Sequence, residues 1–247
     1  KIPEFKYCAV RVTAGGRFDL EDIEGLEMVH QFNPKIGLVY NLSDATLVRA
    51  SAGRGFRAPS IAEVYTTTEA GGIIILPNRE LTRERSWSFE IGGSQTISEH
   101  LRADISLFRN ELWDFIEPAF GSDAFVHFQN ITRARVTGVE LALNMNFFKG
   151  LLGGQVSYTY VDPRDLTLDD ILKYRPRHLF YISGTLALER VRLGADFRYL
   201  DRTQRIDELF KLIIPDGDRR APIYVTDVHL GADWKCAGLS LTTSLHV

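Results

Sequence analysis

Hydrophobic and polar residues alternate along most of this chain with a period of two, the pattern of strands whose two faces meet unlike surroundings. Over residues 191–199, Val191, Leu193, Ala195, Phe197 and Tyr199 fall on one side, and Arg192, Gly194, Asp196 and Arg198 on the other. The next segment repeats the pattern: Tyr224, Thr226, Val228, Leu230, Ala232 and Trp234 stand against Asp227, His229, Gly231 and Asp233. Trp87, Phe89 and Ile91 oppose Ser86, Ser88 and Glu90, and Leu101, Ala103, Ile105 and Leu107 oppose Arg102, Asp104 and Ser106. Val156, Tyr158 and Tyr160 oppose Gln155, Ser157 and Thr159 in the same way.

Marking every such run predicts about eleven strands, near residues 8–18, 33–41, 46–54, 84–96, 101–117, 124–146, 151–162, 178–187, 191–201, 223–234 and 239–247. Short links, such as Ile97 to His100 and Phe147 to Gly150, alternate with long ones at 19–32, 55–83, 118–123, 163–177 and 202–222. All long links therefore lie on one side of the sheet. Asp165 to Tyr174 and Ile206 to Leu212 are expected to form two helical turns each. No domain boundary interrupts the pattern.

Alternation alone fits a soluble sandwich as well as a membrane barrel. Three features favour the barrel. Several strands exceed the ~5–6 residues usual in globular sheets and reach the ~9–11 that tilted strands need to cross a bilayer. Aromatic residues stand on the apolar face at strand ends, with Tyr160 and Tyr199 toward the long loops and Trp234 toward the short turns, as interface girdles do. The regular exchange of long and short links matches external loops and periplasmic turns. Eleven up-and-down strands cannot close on themselves without a parallel seam, so the expected architecture is all-β: an antiparallel transmembrane β-barrel segment forming an open arc of a larger barrel. With Lys1 in place of Met and a strand running to the last residue, the chain reads as a piece of a longer protein.

Composition narrows the function classes. The net charge of −3 over 247 residues supplies no positive field for nucleic acid, and no nucleic-acid partner is expected. Apolar runs reach only four residues, as at Ile73-Ile74-Ile75-Leu76, far below the ~20 residues of a membrane-spanning helix. Of 29 basic residues 22 are Arg, the planar, multi-donor cation that pairs best with carboxylates. Cys8 and Cys236 are too few for a disulfide scaffold or a zinc site. Both fall near short-turn ends, so a bridge is conceivable, although the outer strands of an eleven-strand arc should stand well apart.

Three ordered motifs identify a family. Gly53-Arg54-Gly55-Phe56-Arg57-Ala58-Pro59-Ser60, after Val48-Arg49-Ala50-Ser51, resembles the glycine–arginine stretch of TonB-dependent outer-membrane receptors. Asn78, Leu81, Glu84, Ser86, Glu90 and Gly92 resemble that family's next run. Gln129-Asn130-Ile131 with Thr137-Gly138-Val139-Glu140 resembles a third. Departures are Pro77 before Asn78 rather than after it, Thr82 and Arg83 in place of a basic residue and Pro, and the end at Leu245-His246-Val247.

The resemblance implies the C-terminal half of a barrel of about 22 strands, a class whose lumen is plugged. Also implied are the outer membrane of a Gram-negative-type bacterium and TonB-energised uptake of a scarce, bulky ligand, most often a ferric siderophore. Its partners would be a plug domain of the same chain, the TonB complex, the extracellular ligand and outer-membrane lipid. No catalytic residue, metal site or cofactor is expected. In the family the two glutamates, here Glu90 and Glu140, lock the plug through its arginines; Arg49 and Arg57 join them as candidate plug-contacting lumen residues.

The residues themselves bear a plainer reading beside this one. By parity Glu90 and Glu140 are ordinary polar wall, with Gly92 and Gly138 leaving room for a partner. Gly53 and Gly55 let the strand twist as it leaves the membrane, Pro59 stops the ladder, and Arg57 puts a five-donor fork at the rim. Ile73, Ile74 and Ile75, in the longest link, are either a ligand-contacting loop tip or a hairpin packed on its neighbours. A glycosidase pair in Glu90 and Glu140, a triad of His229, Asp196 or Asp227 and Ser240, and metal contacts by His30, His127 or His178 are weaker alternatives. A passive porin and a soluble carbohydrate-binding β domain are the competing functional readings.

Overall fold

Runs rich in Val, Ile, Phe, Tyr and Thr with strict alternation can satisfy their backbone only by pairing sideways, and the chain does so from end to end. The computed structural model describes residues 10–21, 28–70, 73–121, 123, 125–206, 220–236 and 239–246. Its long strands are β1 (Val10–Glu21), β2 (Val29–Asn41), β3 (Thr46–Arg57), β6 (Glu84–Ser98), β7 (Leu101–Phe120), β8 (Val126–Phe147), β9 (Leu152–Asp165), β11 (His178–Ala187), β12 (Val191–Leu200), β13 (Ile223–Cys236) and β14 (Leu239–His246). Each pairs antiparallel with the next of these, giving one open path from β1 to β14. All eleven expected strands are present. Three short ones add to them within the long links: β4 (Thr68–Ala70), β5 (Ile73–Leu76) and β10 (Asp170–Ile171).

Register carries the alternation across the sheet. Tyr40, Val48, Gly93, Ile105, Leu141, Tyr158, Phe180, Tyr199 and Tyr224 lie side by side in one row crossing nine strands. Closer to the short turns, Phe147, Leu152, Leu186, Leu193, Leu230 and Leu245 form another. This apolar face is uncovered: Phe89, Ile91, Ile105, Leu107, Val228 and Trp234 are all exposed. A sheet that leaves such a face bare needs a nonaqueous surrounding, because apolar area of this extent in water is strongly unfavourable. Tyr199 and Tyr224 contact at 5.3 Å between ring centres, and Tyr160 contacts His178 at 5.3 Å.

The buried core is small and lies beyond the long-link end of the sheet. β7 and β8 run 20 and 22 residues, so at the usual rise and tilt β8 stands about 55 Å tall, well over the ~25 Å apolar band of such barrels. Against their projecting ends packs the 58–83 segment, whose helix α1 (Ile61–Tyr65) buries Val64 against Leu81 and Ile116, with Tyr65 and Phe128 around them.

One loop departs from expectation. Asp165 to Tyr174 is not helical: Asp165 ends β9, its carboxylate accepts the N–H groups of Thr167 and Leu168 at 2.8 and 3.0 Å, and Asp170 and Ile171 then pair back with Asp165 and Arg164. Asp169 and Tyr174 take positive φ, 53° and 58°, which a helix does not permit. The second expected helix, from Ile206 to Leu212, falls almost wholly outside the described residues, as does Cys8; the side chains of Cys236 and Ser240 are likewise outside them.

Candidate functional site

On the polar face, Arg49 of β3 and Glu90 of β6 meet across the strand pair, Nε to Oε1 at 3.2 Å, with both side chains partly exposed. The guanidinium lies over Gly92. A Cβ there would stand 3.1 Å from Arg49 Cζ and 2.8 Å from the Ile105 carbonyl oxygen, so only glycine leaves this space. Gly138 does the same for the ring of Phe108, its neighbour on β7. The room left by both glycines is thus taken by side chains of the wall itself. Glu140 shares a row with Gly92, Ser106 and Thr159, is exposed, and makes no ion pair among the described residues. It stands two strands and one row from Glu90, about 12 Å between backbones by strand spacing. Toward the short turns the wall continues as Ser94, Arg102, Asp104 and Asn144, joined by hydrogen bonds.

At the rim Arg57 is committed to two carboxylates, Glu63 at 2.9 Å and Glu84 at 2.7 Å. Glu63 also accepts the Ser60 backbone N–H at 2.7 Å while the Ser60 hydroxyl accepts that of Glu63 at 3.3 Å, a reciprocal cap that starts α1 directly after Pro59. Glu84 in turn accepts the Ile116 N–H at 2.9 Å. Arg57 therefore joins β3, α1, β6 and β7. Burial pushes the Glu63 carboxyl upward, but the hydrogen bonds from Arg57 and Ser60 outweigh it and hold it below its ordinary value.

The family-like asparagines tie the long link down. Asn78 donates to the Phe128 carbonyl at 2.8 Å, and Asn130 accepts from the Thr82 N–H and donates to the Thr82 carbonyl, each at 2.9 Å. Arg79 sits over the Tyr65 ring at 5.2 Å. The Ile73–Leu76 strand forms a hairpin with β4 and pairs parallel with β8, Ile75 beside Val126. The packed-hairpin expectation for this segment is therefore realised. Ile75 is half-buried and Ile74 remains exposed at its surface.

A further cluster lies on the apolar side. Glu111, only 7% exposed, accepts from Arg109 at 2.7 Å and Arg135 at 2.6 Å and faces Arg133 at 3.4 Å. Parity was the available signal: Arg109 and Glu111 continue the Leu107 side of β7, where charge breaks the pattern. Three histidines, His127, His178 and His229, have polar partners within the wall and its loops. His127 pairs with Asp123 at 2.8 Å, His178 with the Tyr158 hydroxyl at 2.8 Å, and His229 lies 3.6 Å from Asp196 above Gly194. Among the described residues no group of three His, Cys, Asp or Glu is placed to hold a metal.

Comparison with known proteins accounts for this geometry. Residues 4–245 match the family described as TonB dependent receptor-like, beta-barrel. The vitamin B12 transporter BtuB of Vibrio vulnificus is 30% identical over 167 residues, 67% of this chain and 25% of that protein. BtuB of Photobacterium profundum is 29% identical over 148 residues, 58% of this chain and 23% of its own length. Among solved structures, the ferric enterobactin receptor PfeA of Pseudomonas aeruginosa superposes with a TM-score of 0.69 at 19% identity, covering 95% of this chain and 36% of that one. The copper transporter OprC gives 0.67 at 18%, covering 90% and 36%. This chain spans about a quarter of the length of the curated relatives it matches. With its antiparallel arc, bare apolar face and ordered motifs, the chain belongs to the TonB-dependent receptor β-barrel family.

Proposed function

We propose that this chain is the barrel wall of an outer-membrane receptor in a Gram-negative-type bacterium, taking up a scarce, bulky ligand with energy supplied by TonB. The cargo favoured is a ferric siderophore or similar iron complex. Its partners are a plug domain of the same chain, the TonB complex, the extracellular ligand and outer-membrane lipid; its role is transport, not catalysis. The observation that carries the reading is the polar face holding Arg49, Glu90 and Glu140 behind an outer face that is apolar from the short turns up to the Glu111 cluster. Glu140, with its acceptors open to the lumen, and Glu90, held by one guanidinium on one side, are suited to arginines of a plug. Such charge-assisted contacts are strong where partly desolvated and release without breaking a covalent bond. Arg57 serves the rim that frames the entrance, and Ile74 offers an apolar contact there.

The test is conductance of the full-length protein in a planar bilayer before and after about 4 M urea. Little current at first and large reversible channels in urea are expected of a plugged receptor. Open channels from the start would make the protein a porin, and failure to insert would return the reading to a soluble β domain. A cobalamin-type cargo is the second reading, favoured by the two BtuB relatives. Binding of an iron-loaded catecholate against cyanocobalamin separates the two.

A further inference from the structure

The charge on the outer face is concentrated in one place. Register puts Arg54, Trp87, Glu111, Arg135 and Arg164 in a single row across five strands. Arg109 lies one row closer to the short turns beside Phe89, and Arg133 one row farther beside Trp113, its guanidinium 5.9 Å from that ring. Glu111 holds Arg109, Arg133 and Arg135. Asp162 holds Arg164 at 3.1 Å and Arg177 at 2.7 Å. Five guanidiniums thus share two carboxylates, leaving 5 − 2 = +3. Three guanidiniums carry about fifteen N–H donors, whereas the Glu111 carboxylate has about four acceptor sites. Its buried position leaves most of those donors turned outward, with Arg109 and Arg133 51% and 47% exposed.

Depth decides what meets these donors. Glu111 is ten residues along β7 from Leu101, which at the usual rise and tilt is about 25 Å above the short-turn end. That is the height of the apolar band of such barrels. The cluster therefore stands where hydrocarbon gives way to headgroups, flanked by Trp87, Phe89 and Trp113, which with Arg109, Glu111 and Arg133 line a recess of about 650 Å³. A surplus of donors at this level calls for dense anionic acceptors, and a forked guanidinium matches phosphate geometry in particular.

We infer that the Arg109–Arg133–Arg135 cluster, with Arg164 beside it, is a docking site for the phosphate groups of an outer-leaflet glycolipid of the lipid A class. The aromatic side chains take the adjoining sugar and acyl root, and Glu111 spaces the three guanidiniums. The inference rests on the membrane-spanning reading above.

The experiment uses full-length protein in detergent micelles, titrated with bisphosphorylated lipid A, with its dephosphorylated counterpart and with inorganic phosphate, and read by tryptophan quenching and by native mass spectrometry. Wild type should prefer the phosphorylated lipid by about tenfold or more. The pair Arg109→Gln and Arg133→Gln, which leaves Glu111 with Arg135, should abolish that preference. Arg164→Gln, which leaves Asp162 with Arg177, should weaken it about threefold and decides the matter if the double variant does not fold. Equal affinity for both lipids, unchanged preference in the variants, or full displacement by inorganic phosphate at comparable concentration would overturn the site. Failure of wild type to insert into bilayers would instead overturn the membrane reading itself.

Discussion

The side-chain amide of Asn130 pairs with the backbone of Thr82 as a neighbouring strand would, accepting the N–H and donating to the carbonyl, both at 2.9 Å. One residue of β8 thereby supplies the end of the long link with a two-bond ladder, at a point where no strand is available. A third bond, from the same amide to the Asp114 carbonyl at 2.5 Å, ties β7 into the junction.

Replacing Asn130 by Ala removes all three bonds and leaves part-buried backbone groups unpaired. A loss of about 2–3 kcal/mol is expected, confined to local opening of residues 58–83. Hydrogen exchange resolved by mass spectrometry should show faster exchange there and unchanged protection in β11–β13. Uniformly faster exchange would refute the local role.

Gly138→Ala places a methyl against the Phe108 ring and the Tyr160 carbonyl oxygen, and the carbonyl belongs to a paired backbone that cannot withdraw. Destabilisation of about 1–3 kcal/mol is expected. Gly37→Ala, with nothing within 4 Å of the added carbon, should be close to neutral. The thermal midpoint of heat-shifted gel mobility compares the two.

The rim should loosen in acid. Because Glu63 titrates below its ordinary value of 4.5 when folded, the stability it contributes is fully present above about pH 4.5 and is lost as pH falls through the lowered folded value. Limited proteolysis of the 58–83 segment should therefore be slow at neutral pH and fast below that window. Glu63→Gln should cleave readily at neutral pH and lose most of this pH dependence.

If Glu90 and Glu140 hold a plug, their double replacement by Gln should lower the urea concentration at which channels open, with the barrel's own unfolding unchanged. Arg49→Ala, which frees Glu90 from its 3.2 Å partner, should shift the opening less than the double variant. Equal opening midpoints in all three proteins would remove the two glutamates from the lock.

The alternation of residues such as Val191 to Tyr199 was enough to determine the strands, their up-and-down order and the face each side chain takes, because a period of two leaves a sheet only one way to separate apolar from polar. Links longer than a turn escaped that logic. Asp165 to Tyr174 has the spacing of a short helix, yet the Asp165 carboxylate caps the next N–H groups and turns the chain back on β9, a choice settled by a partner strand already in place. The room beside Gly92 and Gly138 was legible as small residues, but only register revealed that Arg49 and Phe108 occupy it. Arg109, Arg133, Arg135 and Glu111 lie on two strands, up to 26 positions apart. Their assembly into one cluster at headgroup height depends on antiparallel pairing, which converts distance along the chain into position across the sheet.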